Sequence, residues 1–574
     1  MIAAGVLAAM FAAAPIEVHT ATRDVRGCQA LERGYVAASE GGVVFLDAAG
    51  VAEPALTALD GLPETRSYVV APVAGSSTQV WAGTEGGLAR IEHDQAGARV
   101  IEVIESAPLR ALVQHAGHTY VGTWGEGVFE LVQAELVAIA GPELAKADRI
   151  TDLAWHRDHL VVASAGAGAW ILAGQPEPLA GVEGIVWSLA VHDDQLYAGT
   201  FVGVLELGAS DARTLATQDA RALASVGGEL WIGSHGQGLI RLDEDGGEGE
   251  ALLPELTHVQ GLDGDRCVAT SQGLWIHGGA RWTRTLADGL PSGDISAMVE
   301  HEGRLVVGTF DRGVMVHDAG RWIPLDDPQQ TIDPQINALV AAPEGRLWIA
   351  TARGLFRKDE RTGQVQRWTS KTGLPHDSVL SLALTRQGEL VVGTHAGVVI
   401  VDAAGEVRSL GARAGRWATW AIAEADDGSL WLGTTQGLVR WHAESGSHYS
   451  MLSGHLDDNW VTALQVEGDR VHVGTYAGGV MRLTKTDATR WRSESLGGGR
   501  VNPGGLRLVD GRLHASTMKG LLVRDHDRWR SEGELPFEDV TGVLEVDRGL
   551  WIATRRGLVL HQAASVKQRS NQAG

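Results

Sequence analysis

Side chains able to bind or react gather in one recurrent place along this 574-residue chain. It is a short turn that reads Thr or Ser, two or three variable residues, then Gly. In the N-terminal half the variable positions supply Glu85, Trp124, Glu126, Phe201 and His235. In the C-terminal half they supply Phe310, Asp311, Arg312, Arg353, His395, Tyr476, Met518, Arg555 and Arg556. Trp124, Phe201, His235, Phe310, Arg312, Arg353, His395 and Tyr476 are the ligand-binding candidates. Aromatic faces stack on sugar rings, and a guanidinium meets a carboxylate with two parallel hydrogen bonds. Any one of them is also ordinary decoration of a surface turn, since single exposed aromatics are common.

Catalytic chemistry finds no such support, and no residue is assigned a catalytic role. His235 and His395 occupy similar turns far apart in the chain, and Glu126 and Asp311 lack a visible carboxylate partner for acid–base work. Neither G-x-S-x-G nor H-E-x-x-H occurs. The acidic run at 243–250, DEDGGEGE, lacks the ligand order of a calcium loop and reads as a solvated connection. No metal and no cofactor is expected.

The turns recur because the whole chain does. The clearest copies of the repeat are LWIGSHGQGLIRL at 230–242, LWIATARGLFR at 347–357, LWLGTTQGLVRW at 430–441 and LWIATRRGLVL at 550–560. The closing glycine falls at 42, 87, 127, 168, 203, 238, 273, 313, 354, 397, 437, 479, 520 and 557, thirteen intervals over 515 residues with a mean near 40. Each unit reads as four strands. The first carries V/I-x-x-L, as in VTAL at 461–464 and ITDL at 150–153. The second is the L-W-I run, whose consecutive apolar residues predict burial on both faces. Gly-Leu follows on the third, and Arg-Trp often on the fourth. The recurrent tryptophans occupy one structural slot in many repeats and read as packing. Four strands at this period give an all-β fold of β-propeller repeats, with fourteen four-stranded blades. Two tandem seven-bladed propellers suit them better than one ring of fourteen, because rings hold four to eight blades.

The expected organisation is a signal peptide and leader over 1–22, a first propeller over 23–286 and a second over 287–574. The opening run MIAAGVLAAMFAAAPI is apolar, too short to span a bilayer and ends near an A-x-A site, as a secretory signal does. It lacks a preceding Lys or Arg, and Pro15 would follow the cut. The strand closing each ring is open between IEVHTA at 16–21 and SVKQRS at 565–570. Cys28 and Cys267 stand in the first and seventh repeats. They would meet if the first ring closes after seven blades, as a disulfide or as two buried thiols.

A net charge of −23 spread along the chain excludes nucleic acid and anionic lipid as partners. No run is long and apolar enough for a membrane span.

As a set, G-L-P loops (60–63, 288–291, 372–375), V-x-x-L and L-W-I-G-T-x-x-G-L-x-R resemble the two-component regulator propeller repeat, over residues ~24–565. The resemblance implies two seven-bladed rings of the kind that sense a ligand, often a glycan fragment, outside the bacterial membrane. The chain shows no membrane helix, immunoglobulin-like domain, kinase or receiver beside its repeats, so the signalling role is not carried over. The expectation is a non-catalytic, exported recognition module, periplasmic or extracellular, that binds a small-molecule or glycan ligand, or a protein, on a propeller rim. A glycan-cleaving hydrolase or a lyase on a tandem propeller is one alternative, and a protein-assembly scaffold is another.

Overall fold

A computed structural model describes residues 16–139, 147–208, 211–242, 248–278, 281–325, 327, 331–410, 416–442, 445–487, 490–533, 535–546 and 549–562. Among these residues there is no α-helix, only strands and two 3-10 turns, Ala58–Asp60 and Ser370–Thr372. Contacts divide the chain into two units, Thr20–Ser292 and Gly293–Gly574 together with Met1–His19. The second unit holds seven antiparallel sheets, and the first holds seven blades in six sheets, the Ala165–Ile185 pairing joining its fourth and fifth blades; in each unit the first blade packs against the seventh. The fold is a tandem of seven-bladed β-propellers, here called the first ring (Thr20–Ser292) and the second ring.

The ninth blade shows the common plan. Its strands are Ile336–Ala342 (a, innermost), Arg346–Thr351 (b), Gly354–Asp359 (c) and Val365–Trp368 (d, outermost). Strand b, RLWIAT, is buried along almost its whole length because neighbouring blades cover both faces. The b–c turn explains the recurrent threonine. Thr351 donates its hydroxyl to the Gly354 carbonyl at 2.8 Å and accepts the Arg353 N–H at 3.1 Å. Thirteen of the fourteen blades keep this hydroxyl-to-glycine bond. In the sixth blade the Ser234 hydroxyl makes no such bond. The glycine is needed for space as well as for its positive φ. At Gly203, φ is 139° and an added Cβ would lie 1.8 Å from the Ala216 carbonyl oxygen.

Every a strand carries a β-bulge at the second residue of its V-x-x-L motif. Pairing skips Arg26, Tyr68, Arg110, Thr151, Trp187, Arg221 and Gln260 in the first ring. In the second ring it skips Ser296, Asn337, Leu380, Trp420, Thr462 and Thr541. The thirteenth blade skips the longer run from Asn502 to Gly505. A bulge frees its extra residue from the ladder and re-aims the side chain. Several bulged side chains then tie one blade to the next. Thr151 donates to the Val186 carbonyl (2.5 Å), Asn337 to Val379 (2.7 Å), Thr462 to Val501 (2.7 Å) and Asn502 to Val540 (2.7 Å).

The two rings close differently. In the first ring, Gln260 of the seventh blade donates to the Asp24 carboxylate at 2.5 Å, and Asp263 accepts the Ala30 N–H at 2.7 Å. Cys28 and Cys267 form a disulfide pair across that seam, with Cα atoms 6.4 Å apart, inside an apolar cluster that includes Val25, Tyr35, Leu274 and Ile276. The first blade has three ladder-forming strands, and its outer edge is completed only by the bridges Val43–Leu56 and Leu46–Ala52. In the second ring, the segment Ile16–His19 pairs with Gly557–Gln562 and completes the fourteenth blade. Sequence composition assigned residues 16–22 to a leader, but Ile16–His19 is built into the sheet. Its apolar residues suit an edge strand as well as a signal. Residues 1–15, the rest of that leader, and SVKQRS at 565–570 lie outside the described residues. The acidic run at 243–250 falls largely outside them too.

His19 sits at the second ring's seam. Its ring centroid lies 5.5 Å from His317, 5.7 Å from Trp322 and 5.2 Å from Trp551. Its Nδ1 accepts the Trp322 indole N–H at 3.4 Å, which requires that nitrogen to be unprotonated. Burial pushes its pKa down to about 4, the neighbouring Glu17 carboxylate opposing the shift and His317 adding to it. A histidine kept neutral in the fold but free to charge when unfolded stabilises the fold above its ordinary pKa of ~6.5. That stability is lost as pH falls from ~6.5 toward about 4.

The expected result is that the wild-type melting temperature drops across this window more steeply than that of His19→Phe. Differential scanning calorimetry over a pH series would show it, and parallel curves would exclude the role given to His19. Separately, Thr541 donates at 2.7 Å to the Ile295 carbonyl across the same seam. Thr541→Val, which strands that buried carbonyl, should cost about 1–3 kcal/mol in a denaturant melt.

Candidate functional site

Three positions of each blade converge at one end of its ring. They are the residue before strand a, the bulged residue, and the first variable residue of the b–c turn. The turn N–H bonds back to the carbonyl before strand a: Trp124 to Pro108 (2.7 Å), His235 to Asp219 (3.2 Å), Phe310 to Asp294 (2.9 Å), His395 to Ser378 (3.2 Å) and Tyr476 to Trp460 (2.9 Å). Turn and a strand are thereby locked together at the mouth of the axial channel.

In the second ring this end opens on a cavity of about 400 Å³. Six bulged residues line it: Ser296, Asn337, Leu380, Trp420, Asn502 and Thr541. Phe310, Arg507 and Arg555 join them. Among the lining residues none carries a carboxylate, an imidazole or a thiol. Arg555 pairs with Asp294 at 2.7 Å and lies over the Phe310 ring at 5.5 Å. Burial holds the Asp294 carboxyl above its ordinary range, with the Arg555 partner pulling the other way.

An aromatic arc follows the same mouth across consecutive blades. His376 and His395 lie 5.6 Å apart, His395 and Trp420 6.1 Å, Trp420 and Trp460 5.9 Å, and Trp460 stacks on Tyr476 at 4.5 Å. Arg500 caps the arc, 5.4 Å over Tyr476. The indole N–H groups of Trp420 and Trp460 are buried without a hydrogen-bond acceptor among the described residues. His395 titrates below its ordinary value through burial, reinforced by His376.

The candidates read from sequence therefore separate. Phe310 lines the second ring's cavity, and His395 and Tyr476 belong to the arc beside Trp420. Arg312 and Arg353 stand later in their turns and do not line the cavity. Arg312 faces Asp311 at 3.7 Å, and Arg353 faces Asp333 at 3.4 Å. In the first ring, Trp124 lies beneath Arg110, whose guanidinium carbon is 4.3 Å from the ring centroid. His235 meets His258 edge-on at 4.2 Å, and Phe201 is 62% exposed. Trp420, Asn502 and Arg110 are not among the sequence candidates, because the V-x-x-L pattern leaves its second position open and the Asn502 strand, VNPGGL, departs from that pattern. The signal was present as a bulky or polar residue at that slot, as in TWAI at 419–422 and LRAL at 109–112.

The tryptophans of the b strands are packing, as their recurrence indicated. Trp81, Trp348, Trp431 and Trp551 are buried. Those of the outer strands cover them: Trp368 lies 5.2 Å from Trp348, and Trp491 lies 4.9 Å from Trp431.

No protein-family model matches the chain, and no curated protein matches it. Solved structures do. PorZ, described as an essential bacterial surface component of the type-IX secretion system of Porphyromonas gingivalis, aligns over 95% of this chain and 87% of its own with a TM-score of 0.69 and 16% identity. The extracellular domain of the putative hybrid two-component system BT3049 from B. thetaiotaomicron aligns over 97% of this chain and 84% of its own, with a TM-score of 0.41 and 15% identity. That of BT4673 from the same organism aligns over 95% and 81%, with a TM-score of 0.40 and 16% identity. Only the PorZ likeness is close enough to bear on the fold, and at its identity it bears on the fold alone.

Proposed function

We propose that this chain is a non-catalytic recognition module that binds a ligand at the mouth of the second ring, outside the cytoplasmic membrane. The observation that carries the reading is the aromatic arc from His395 through Trp420 and Trp460 to Tyr476, set beside a cavity of about 400 Å³. That volume lies in the range of small-ligand sites, which combine apolar walls with few polar groups. Flat aromatic faces beside amide and hydroxyl side chains such as Asn337, Asn502 and Thr541 suit a short oligosaccharide. The cavity walls themselves carry no carboxylate, imidazole or thiol, and the neighbouring carboxylate of Asp294 is paired with Arg555, which favours binding over acid–base chemistry. The likeness in fold to a bacterial surface component, the apolar N-terminal run and the cysteine pair support an extracytoplasmic setting.

A thermal-shift screen of the purified chain against oligosaccharides tests this. A ligand at 100 times its Kd should stabilise the fold by ~2.7 kcal/mol. Trp420→Ala should weaken binding at least about tenfold, the loss of one well-placed aromatic contact. The ligand should be recovered unaltered. A ligand consumed during the assay would overturn the non-catalytic reading. Full binding by Trp420→Ala would remove the site from this mouth.

A further inference from the structure

The first ring presents a different set of side chains at the equivalent mouth. Its first four blades bring four guanidinium groups together, Arg26, Arg66, Arg110 and Arg149, in a chain whose net charge is −23. They interleave with two aromatic rings. Arg26 lies 5.1 Å over Tyr68, Arg110 lies 4.2 Å over Tyr68 and 4.3 Å over Trp124, and Arg149 lies 5.8 Å over Trp124.

These four cations are not equivalent. Arg26 and Arg66 both bind Glu40, which is thereby fully engaged. Glu85 accepts the Tyr68 hydroxyl. Arg110 lies between Tyr68 and Trp124 and, among the described residues, makes one side-chain hydrogen bond, to the Tyr68 oxygen at 3.3 Å. Its Nε is buried without a partner, and it forms no ion pair among the described residues. Burial holds its pKa below the ordinary arginine value, with Tyr68 and the Glu85 carboxylate opposing the shift and the charges of Arg26 and Arg66 adding to it, far too little to discharge it at neutral pH. A desolvated guanidinium with unused donors is costly unless an anion meets it.

Position supplies the second argument. Arg110 occupies the bulged slot of its a strand, the slot whose occupants Asn337, Leu380 and Trp420 line the axial cavity of the second ring. By the repeat, Arg110 faces the first ring's axis. Aromatic rings within 4.3 Å on two sides limit how the guanidinium can turn, and a planar fork matches a carboxylate better than it matches a spherical anion.

We propose that the mouth of the first ring is a carboxylate-binding site centred on Arg110, with Tyr68 and Trp124 orienting the guanidinium and Arg149 adding charge. The ligand class is a small organic acid or an acidic sugar. This site is independent of the oligosaccharide site read in the second ring.

Isothermal titration calorimetry of the whole chain with sodium glucuronate and with sodium succinate tests it, with glucose and sodium sulfate as controls. The expected result is binding of a carboxylate probe, no binding of glucose, and at least tenfold weaker binding of sulfate. Binding by glucuronate alone assigns an acidic sugar, and binding by both probes assigns the carboxylate group itself. Arg110→Lys, which keeps the charge and removes the fork, should lose at least tenfold in affinity while melting like the wild type. Trp420→Ala should bind the carboxylate as the wild type does. Failure of both carboxylates to bind would overturn the proposal. So would equal binding of sulfate, or unchanged affinity in Arg110→Lys.

Discussion

Seven twisted sheets stand around an axis only if the first meets the seventh, and everything else in each ring depends on that meeting. A blade of this chain has apolar residues on both faces of its b strand, so it is not stable with either face in water. Each interior blade is covered by its sequence neighbours, but the first and last must find one another across some 240 residues of chain. The chain answers this twice with different chemistry. The first ring uses side chains at the seam: the Gln260–Asp24 and Asp263–Ala30 hydrogen bonds and the Cys28–Cys267 pair. The second adds a strand, drawing Ile16–His19 into the ladder of its last blade and laying His19 against Trp322 of its first, beside the Thr541–Ile295 hydrogen bond and the Arg555–Asp294 ion pair.

The bulge in each a strand links closure to recognition. One extra residue per blade leaves the ladder, and its side chain either ties its blade to the next or stands at the channel mouth. Thr151 and Thr462 take the first course and brace the ring. Arg110 and Trp420 take the second. Asn337, Asn502 and Thr541 do both, donating to the neighbouring blade while lining the cavity. Because the backbone at this slot is fixed by seven-fold packing, its side chain can change without disturbing the blades. The same scaffold thus presents an aromatic arc in one ring and a guanidinium ladder in the other.

Much of this was legible in the sequence because it is encoded locally. The Thr-x-x-Gly turn, the doubly buried L-W-I strand and the Arg-Trp outer strand are each written within about ten residues, and they fixed blade number, strand order and the rim on which the variable turns lie. That register also places Phe310, His395 and Tyr476 in b–c turns. The second residue of V-x-x-L was not recognised, because a bulge depends on how strand a pairs with strand b, and a one-dimensional motif does not show which residue the ladder skips. Ile16–His19 falls both in the span read as leader and in IEVHTA, one of two candidate closing strands, because a short, mostly apolar stretch suits an edge strand and a signal equally well. Only its pairing with the last strand, more than 530 residues away, separates the two.

The most direct test of the ring architecture is the Cys28–Cys267 seam. The folded chain would be treated with a mild oxidant, alkylated without reductant, digested, and its peptides identified by mass spectrometry. Seven-bladed closure of the first ring predicts a single linked peptide pair joining Cys28 to Cys267, with neither thiol alkylated. Alkylation of both cysteines in the folded protein would contradict it, since a closed seam buries both side chains whether or not they are bridged.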